Sequence, residues 1–438
     1  MGRASGRGLA AAIALAVVLT AGAVVVGGSP KEEGRPSAAA APPAAAWERL
    51  PPGDLDRGVA ALREQVRAQP RDARSWAALG LAHVEQARLR GDPSRYAEAE
   101  RALGRALALR PGDDGALAGR AALAAARHDF AGALRYADRA LAVNPYSERA
   151  LASRVDALVE LGHYDRAWRA VRQADARRPG IPVFTRYAYV RELRGDVAGA
   201  RRVLRQAAGD ARTPGDVAYV ATALAQLAWR QGDHAAALRH CAAALRAEPG
   251  QAAALETRGR VRAARGETAA AVADLRAVVA RQPLPGPLVA LGELHEARGE
   301  RARAREQYRL VDVWTRLARA NGVDPDLDVA LAAADHGDRA EALRAARGAW
   351  ERRRTVHTAD ALAWALHVNG RDREALRYTR RATSTGFREA SFRYHRGVIE
   401  SALSPRAGRG WLRSALDLNP GFSPLGAREA RRLLGVTS

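Results

Sequence analysis

Residues 145–179 read PYSERALASRVDALVELGHYDRAWRAVRQADARRP, and two features of this stretch decide the fold. Gly162 is followed five positions later by Ala167, and Pro145 and Pro179 bracket the stretch 34 residues apart. Glycine ends a helix cheaply, because the left-handed backbone that closes the last turn costs other residues a Cβ clash. An alanine one turn into the next helix lets the two helices cross at close range. A proline stops that second helix, since it cannot continue the hydrogen-bond ladder. The stretch reads as helix, tight turn, helix, stop.

The same beat runs outward along the chain. Gly195/Ala200, Gly232/Ala237, Gly266/Ala271, Gly299/Ala304, Gly337/Ala342 and Gly370/Ala375 repeat the spacing. From Ala167 onward the alanines step by 33, 37, 34, 33, 38 and 33 residues. Pro111, Pro145 and Pro179 are 34 apart, and so are Pro249 and Pro283. One such pair leaves apolar side chains uncovered, so successive pairs must stack. The chain has 438 residues, too many for one ordinary core, and an array resolves that. Hydrophobic residues are 47% of it but aromatics only 5%, so alanine, the best helix former, dominates. The expectation is an all-α solenoid.

These residues resemble the tetratricopeptide repeat. Trp76, Leu79, Gly80 and His83 sit close to that family's W-x2-L-G-x2-Y, and Leu288, Leu291, Gly292 and His295 repeat the pattern. Ala167, Val171, Ala174 and Pro179, and again Ala237, Cys241, Ala244 and Pro249, match its second half. The resemblance implies a right-handed superhelical solenoid of about ten repeats over residues 53–436, with a capping helix near the C-terminus. The fourth, eighth and tenth units are degenerate, with Gly408 where alanine is expected in the tenth. Extra residues around Arg88–Arg95, the end of the degenerate fourth unit at 208–216 and an over-long helix from Arg303 to Asn321 predict local irregularity.

Residues 1–28 read as a signal peptide or signal-anchor helix. Leu9 to Val26 carries no charge and follows Arg3 and Arg7, which places the N-terminus inside and the rest outside. The run just reaches spanning length, so a retained anchor is favoured over cleavage. Residues 29–52, rich in proline and alanine, read as a linker. The expected location is the cell membrane with the array extracytoplasmic, or secretion after cleavage.

The net charge is +22 and almost all of the cations are arginine. They scatter at helix-surface spacing, and a GC-rich genome yields such a surface with no partner. Nucleic acid is therefore not the expected partner. Cys241 is the one cysteine and falls at a core position, so disulfides within the chain and cysteine zinc clusters are excluded. No His-Glu-x-x-His pair, Gly-x-Ser-x-Gly elbow or phosphate-binding Gly-x4-Gly-Lys loop is present. His83 and His295 are expected to pack, and Trp168, Trp314, Trp350 and Trp411 to lie between helices. The expectation is a protein without enzymatic activity, cofactor or metal.

What the resemblance implies for binding is an extended peptide in a concave groove lined by first helices. Mapped residue by residue, the lining is Arg149 and Asp156, then Tyr219, Thr222, Gln226 and Trp229, then Glu256 and Arg260, then Asp360, Trp364 and His367. The asparagine clamp of repeat domains that capture chaperone tails has no counterpart, since Asn144, Asn321, Asn369 and Asn419 fall at turns or helix ends. The leading expectation is a membrane-tethered or secreted protein-interaction scaffold for envelope assembly or maturation. A polyanion-binding protein, contacting wall polymers or lipid headgroups, is the alternative. A factor presenting apocytochromes for c-type haem attachment is a third, on layout alone.

Overall fold

The computed structural model describes residues 55–436; the apolar run and the linker lie outside the described residues. The helix Leu55–Ala68 comes first. Ten helix pairs follow, here called units one to ten. They are Ala73–Arg90 with Tyr96–Leu109, Asp114–Ala126 with Phe130–Val143, Glu148–Glu160 with Tyr164–Arg177, Ile181–Leu193 with Val197–Asp210, and Pro214–Arg230 with His234–Ala247. The second five are Ala252–Ala264 with Thr268–Arg281, Pro285–Ala297 with Arg301–Ala320, Asp326–His336 with Arg339–Arg352, Val356–Val368 with Asp372–Ala382, and Ala390–Leu403 with Arg409–Leu418. Gly426–Leu434 closes the array. No strand occurs among the described residues, and none of their helices is long and apolar enough to cross a membrane.

The beat read from the sequence is the packing rule of the structure. Ala133, Ala167, Ala200, Ala237, Ala271, Ala342 and Ala375 are wholly buried where second helices cross first helices. Gly162, at φ +76°, closes the turn of unit three. Unit two has His128 in that slot, at φ +62°, a conformation a side chain rarely takes. Gly337 departs from the rule at φ −131°. Two of the three expected irregularities have physical form. Unit one runs its first helix on to Arg90 and adds a 3-10 turn at Pro93–Arg95, and unit seven has a 20-residue second helix.

The solenoid closes on itself. Gln282 Nε2 donates to the Leu89 carbonyl at 2.6 Å, and the Val356 N–H donates to Tyr164 Oη at 2.9 Å. Asn419 Nδ2 donates to the Trp229 carbonyl at 2.8 Å. These contacts span 193, 192 and 190 residues. Units one to five therefore rest on units six to ten, and the seam between them is hydrogen-bonded.

His128 belongs to the same seam. Burial holds its imidazole neutral, with a pKa lowered to about 4, and Nδ1 lies 2.6 Å from the Asp324 carbonyl oxygen. A neutral ring bonded this way donates from Nδ1. The contact, with stacking on Phe130 at 5.8 Å, holds the strained backbone in place.

Candidate functional site

Closure fills the inner face with polar pairs. Arg186 Nη2 donates to Asp156 at 2.6 Å, and Arg230 grips Glu192 through Nε and Nη2 at 2.9 and 2.6 Å. These bonds join the first helices of neighbouring units. His395 Nδ1 lies 2.8 Å from Asp360, and Arg353 donates to Glu160 across the seam. All of these side chains are buried. Burial raises the Asp156 pKa despite Arg186, and pushes Glu160 up to about 7 despite Arg353. Buried pairs repay their desolvation only in good geometry, so they fix register more than they add stability.

The residues mapped to the groove sit within this lining. Trp364 is 1% exposed, donates Nε1 to Asp335 at 2.7 Å and stacks on His395 at 4.3 Å. Asp360, Asp156, Thr222 and Glu256 are buried; Thr222 donates to the Ala218 carbonyl and Glu256 accepts from Arg260 at 2.8 Å. Tyr219 shares a hydrogen bond with Thr185 at 3.2 Å, Trp229 stacks on His234, and His367 meets Asp372 at 2.5 Å. Arg149, Tyr219, Gln226, Trp229, Arg260 and His367 are half-buried. Repeat position alone told which face these residues occupy, but not that the next turn covers it.

The remaining candidates are quiet. Cys241 is buried, and desolvation pushes its thiol up to about 12. His83 packs against Gln86, and His295 against Glu300 at 2.6 Å. Trp168 and Trp411 lie half-buried beneath the guanidiniums of Arg191 and Arg396. Among the described residues no cluster of three or more metal-ligating side chains occurs.

The outer face carries an arrangement that the sequence reading missed. Two residues after the packing alanine of the second helix, counting the buried Ala99 in unit one, stand Arg101, Arg135, Arg169, Arg202 and Arg239 in units one to five, and Arg344 and Arg377 in units eight and nine. Five residues after it stand Arg172 and Arg205 in units three and four, and Arg276, Arg309, Arg347, Arg380 and Arg413 in units six to ten, counting Gly408 as the tenth packing residue. All are exposed. Aligning the sequence on its packing alanines would have shown both rows; read linearly, they look scattered.

No family model matches the chain, and no curated protein does. Solved structures do. A thermophilic tetratricopeptide-repeat protein of Thermus thermophilus is 26% identical, over 36% of this chain and 84% of its own, with a TM-score of 0.33. The APC/C hetero-tetramer Cut9–Hcn1 is 14% identical over 87% of each chain, with a TM-score of 0.41. The human IFIT1 dimer with m7Gppp-AAAA is 14% identical over 78% of this chain and 89% of its own, with a TM-score of 0.48. Its glycine-closed helix pairs, packing alanines and stacked array make the chain an all-α helical-repeat solenoid of the tetratricopeptide-repeat kind in fold.

Proposed function

We propose that the chain is a non-enzymatic protein-interaction scaffold, and the observation that carries this is the second helix of unit seven. It spans 20 residues where its counterparts span 10 to 14. Leu310, Val313 and Leu317 point outward from it, 38%, 49% and 42% exposed. Their spacing puts them on one stripe of the helix. Arg309, Asp312 and Arg316 flank it, all exposed. An apolar stripe with a charged rim fits the apolar face of a partner's amphipathic helix. Covering each side chain would contribute roughly 1–2 kcal/mol.

The test is crosslinking from native membranes with Leu310→Glu/Leu317→Glu. Loss of a reproducible partner, with thermal melting unchanged, is expected. Recovery of the same partners would retract the reading.

The half-buried Tyr219, Gln226, Trp229 and Arg260 are the groove component of this proposal, and entry there requires the two turns to part. The proposal extends to a membrane-tethered or secreted chain, with the array outside the cytoplasm and a role in envelope assembly or maturation. The charge-free run Leu9–Val26 behind Arg3 and Arg7 supports that part. Cell fractionation with N-terminal sequencing tests it, and a cytosolic full-length product would overturn it.

A further inference from the structure

We propose that the two outer arginine rows bind a flexible, base-free phosphate polymer laid along the second helices. This goes beyond the scaffold reading and does not depend on the stripe of unit seven.

Composition does not account for the rows. Two other positions of each unit are just as exposed: two residues before the packing residue, and nine after it. Arginine fills only three of those twenty places, as Arg246, Arg373 and Arg406, against fourteen of the twenty in the rows. Alanine fills most of the rest. The position nine residues on lies at the helix C-terminus, where the macrodipole favours a cation. A chain merely rich in arginine would place it there as readily as mid-helix.

The rows are also largely uncompensated. Arg344 and Arg377 meet Glu341 and Glu374. The other twelve make no ion pair with a carboxylate among the described residues, and only Arg202 acts on one, Asp196, at longer range. Exposed arginine elsewhere in the chain pairs readily, as Arg432 does with Glu429 and Arg67 with Glu64. Between units four and five the cations crowd. Burial lowers the His240 pKa, and Arg239, Arg205 and Arg201 lower it further.

The shape of the rows selects the polymer. They follow a solenoid that closes after about 190 residues, so their arginines face outward all round it. A flat bilayer meets only a few units of such a surface. A nucleic-acid duplex resists bending on this scale. A flexible single chain can follow it. Single-stranded nucleic acid gains much of its binding from base stacking on open aromatic faces. The aromatics beside the rows are already covered: Arg120 lies over Tyr136, Arg377 over Tyr378 and Arg396 over Trp411. What remains is charge, and the guanidinium fork matches phosphate oxygens two at a time.

The experiment uses the full chain in non-ionic detergent and a long, end-labelled linear polyphosphate, read by fluorescence anisotropy. The row variant is Arg135→Gln/Arg169→Gln/Arg202→Gln. The control, Arg246→Gln/Arg373→Gln/Arg406→Gln, removes the same charge outside the rows. Affinity is expected to fall steeply with salt, and the row variant to lose about tenfold and to flatten the log–log salt slope by about two. The control is expected to lose less than about twofold. Equal losses in the two variants would mean diffuse charge and overturn the proposal. Salt-insensitive binding would too, as would tighter binding of an oligothymidylate or binding confined to anionic vesicles. Matched thermal melts confirm that both variants fold.

Discussion

Arg353 Nη1 donates to Glu160 Oε2 at 3.0 Å across 193 residues of sequence, and both side chains are buried. The pair ties the end of unit eight to the end of the first helix of unit three. Repeat arrays normally gain stability from neighbour contacts alone, so that unfolding can start anywhere. This seam adds contacts between distant units and couples the two halves.

Breaking one side of that pair strands the other. Arg353→Met and Glu160→Gln should each cost about 3 kcal/mol in urea unfolding, because a buried charge or its partner is left uncompensated. The double variant should cost less than the sum. Small-angle scattering should show a larger radius of gyration for each single variant as the turns part. Additive costs with an unchanged radius would mean that the pair does not hold the seam.

Gly162 and Gly266 share a left-handed backbone, at φ +76° and +78°, but not a neighbourhood. A Cβ on Gly266 would meet open space, whereas one on Gly162 would run into the carbonyl of Arg354 from the next turn. Gly266→Ala should therefore cost about 1–2 kcal/mol, the conformational penalty alone. Gly162→Ala should cost clearly more. Equal costs in thermal or urea unfolding would show that the seam yields at no expense there.

How much of this could be read beforehand follows from where each determinant lies. Gly162 and Ala167 act through local backbone geometry and close packing within one unit, so their spacing was legible. His128 fills the same slot as Gly162, but its φ is held by the Asp324 carbonyl 196 residues away, and no local pattern announces that. Asp156, Asp360 and Trp364 fall on first helices, as their repeat positions imply. Their burial depends on closure of the superhelix, which is set by small rotations summed over several units. The arginine rows were in the sequence throughout, and needed only the register of the packing alanines to become visible.

The Cys241 thiol gives a direct probe of opening. It is buried at the helix crossing of unit five, and desolvation raises it to about 12. Reaction needs thiolate and access, and the folded chain supplies neither. Ellman's reagent should leave the native protein unmodified at pH 8 and titrate one thiol in denaturant. Fast native labelling would mean that unit five opens locally.

His357 should make acid stability adjustable. Burial, with Arg353 and Arg230 nearby, lowers its pKa to about 4. The unfolded imidazole takes up a proton below about pH 6.5, while the folded one stays neutral. The unfolded state then binds more protons, so this group's contribution is present above pH 6.5 and is lost as pH falls toward 4. His128 acts in the same sense. Glu160 and Asp328 act oppositely. Burial pushes both up to about 7, so the folded chain keeps protons that the unfolded chain releases, and their contribution falls as pH rises toward 7. Between about pH 4.5 and 6.5 the contributions of these four groups therefore oppose one another. His357→Phe removes one histidine from that balance and keeps the packing on Phe387 and Phe392. Relative to wild type, the variant should be near neutral at pH 7.5 and gain about 2 kcal/mol by pH 5, at about 1.4 kcal/mol per pH unit. A wild-type-to-variant difference that stays constant between those pH values would show that His357 titrates alike in both states.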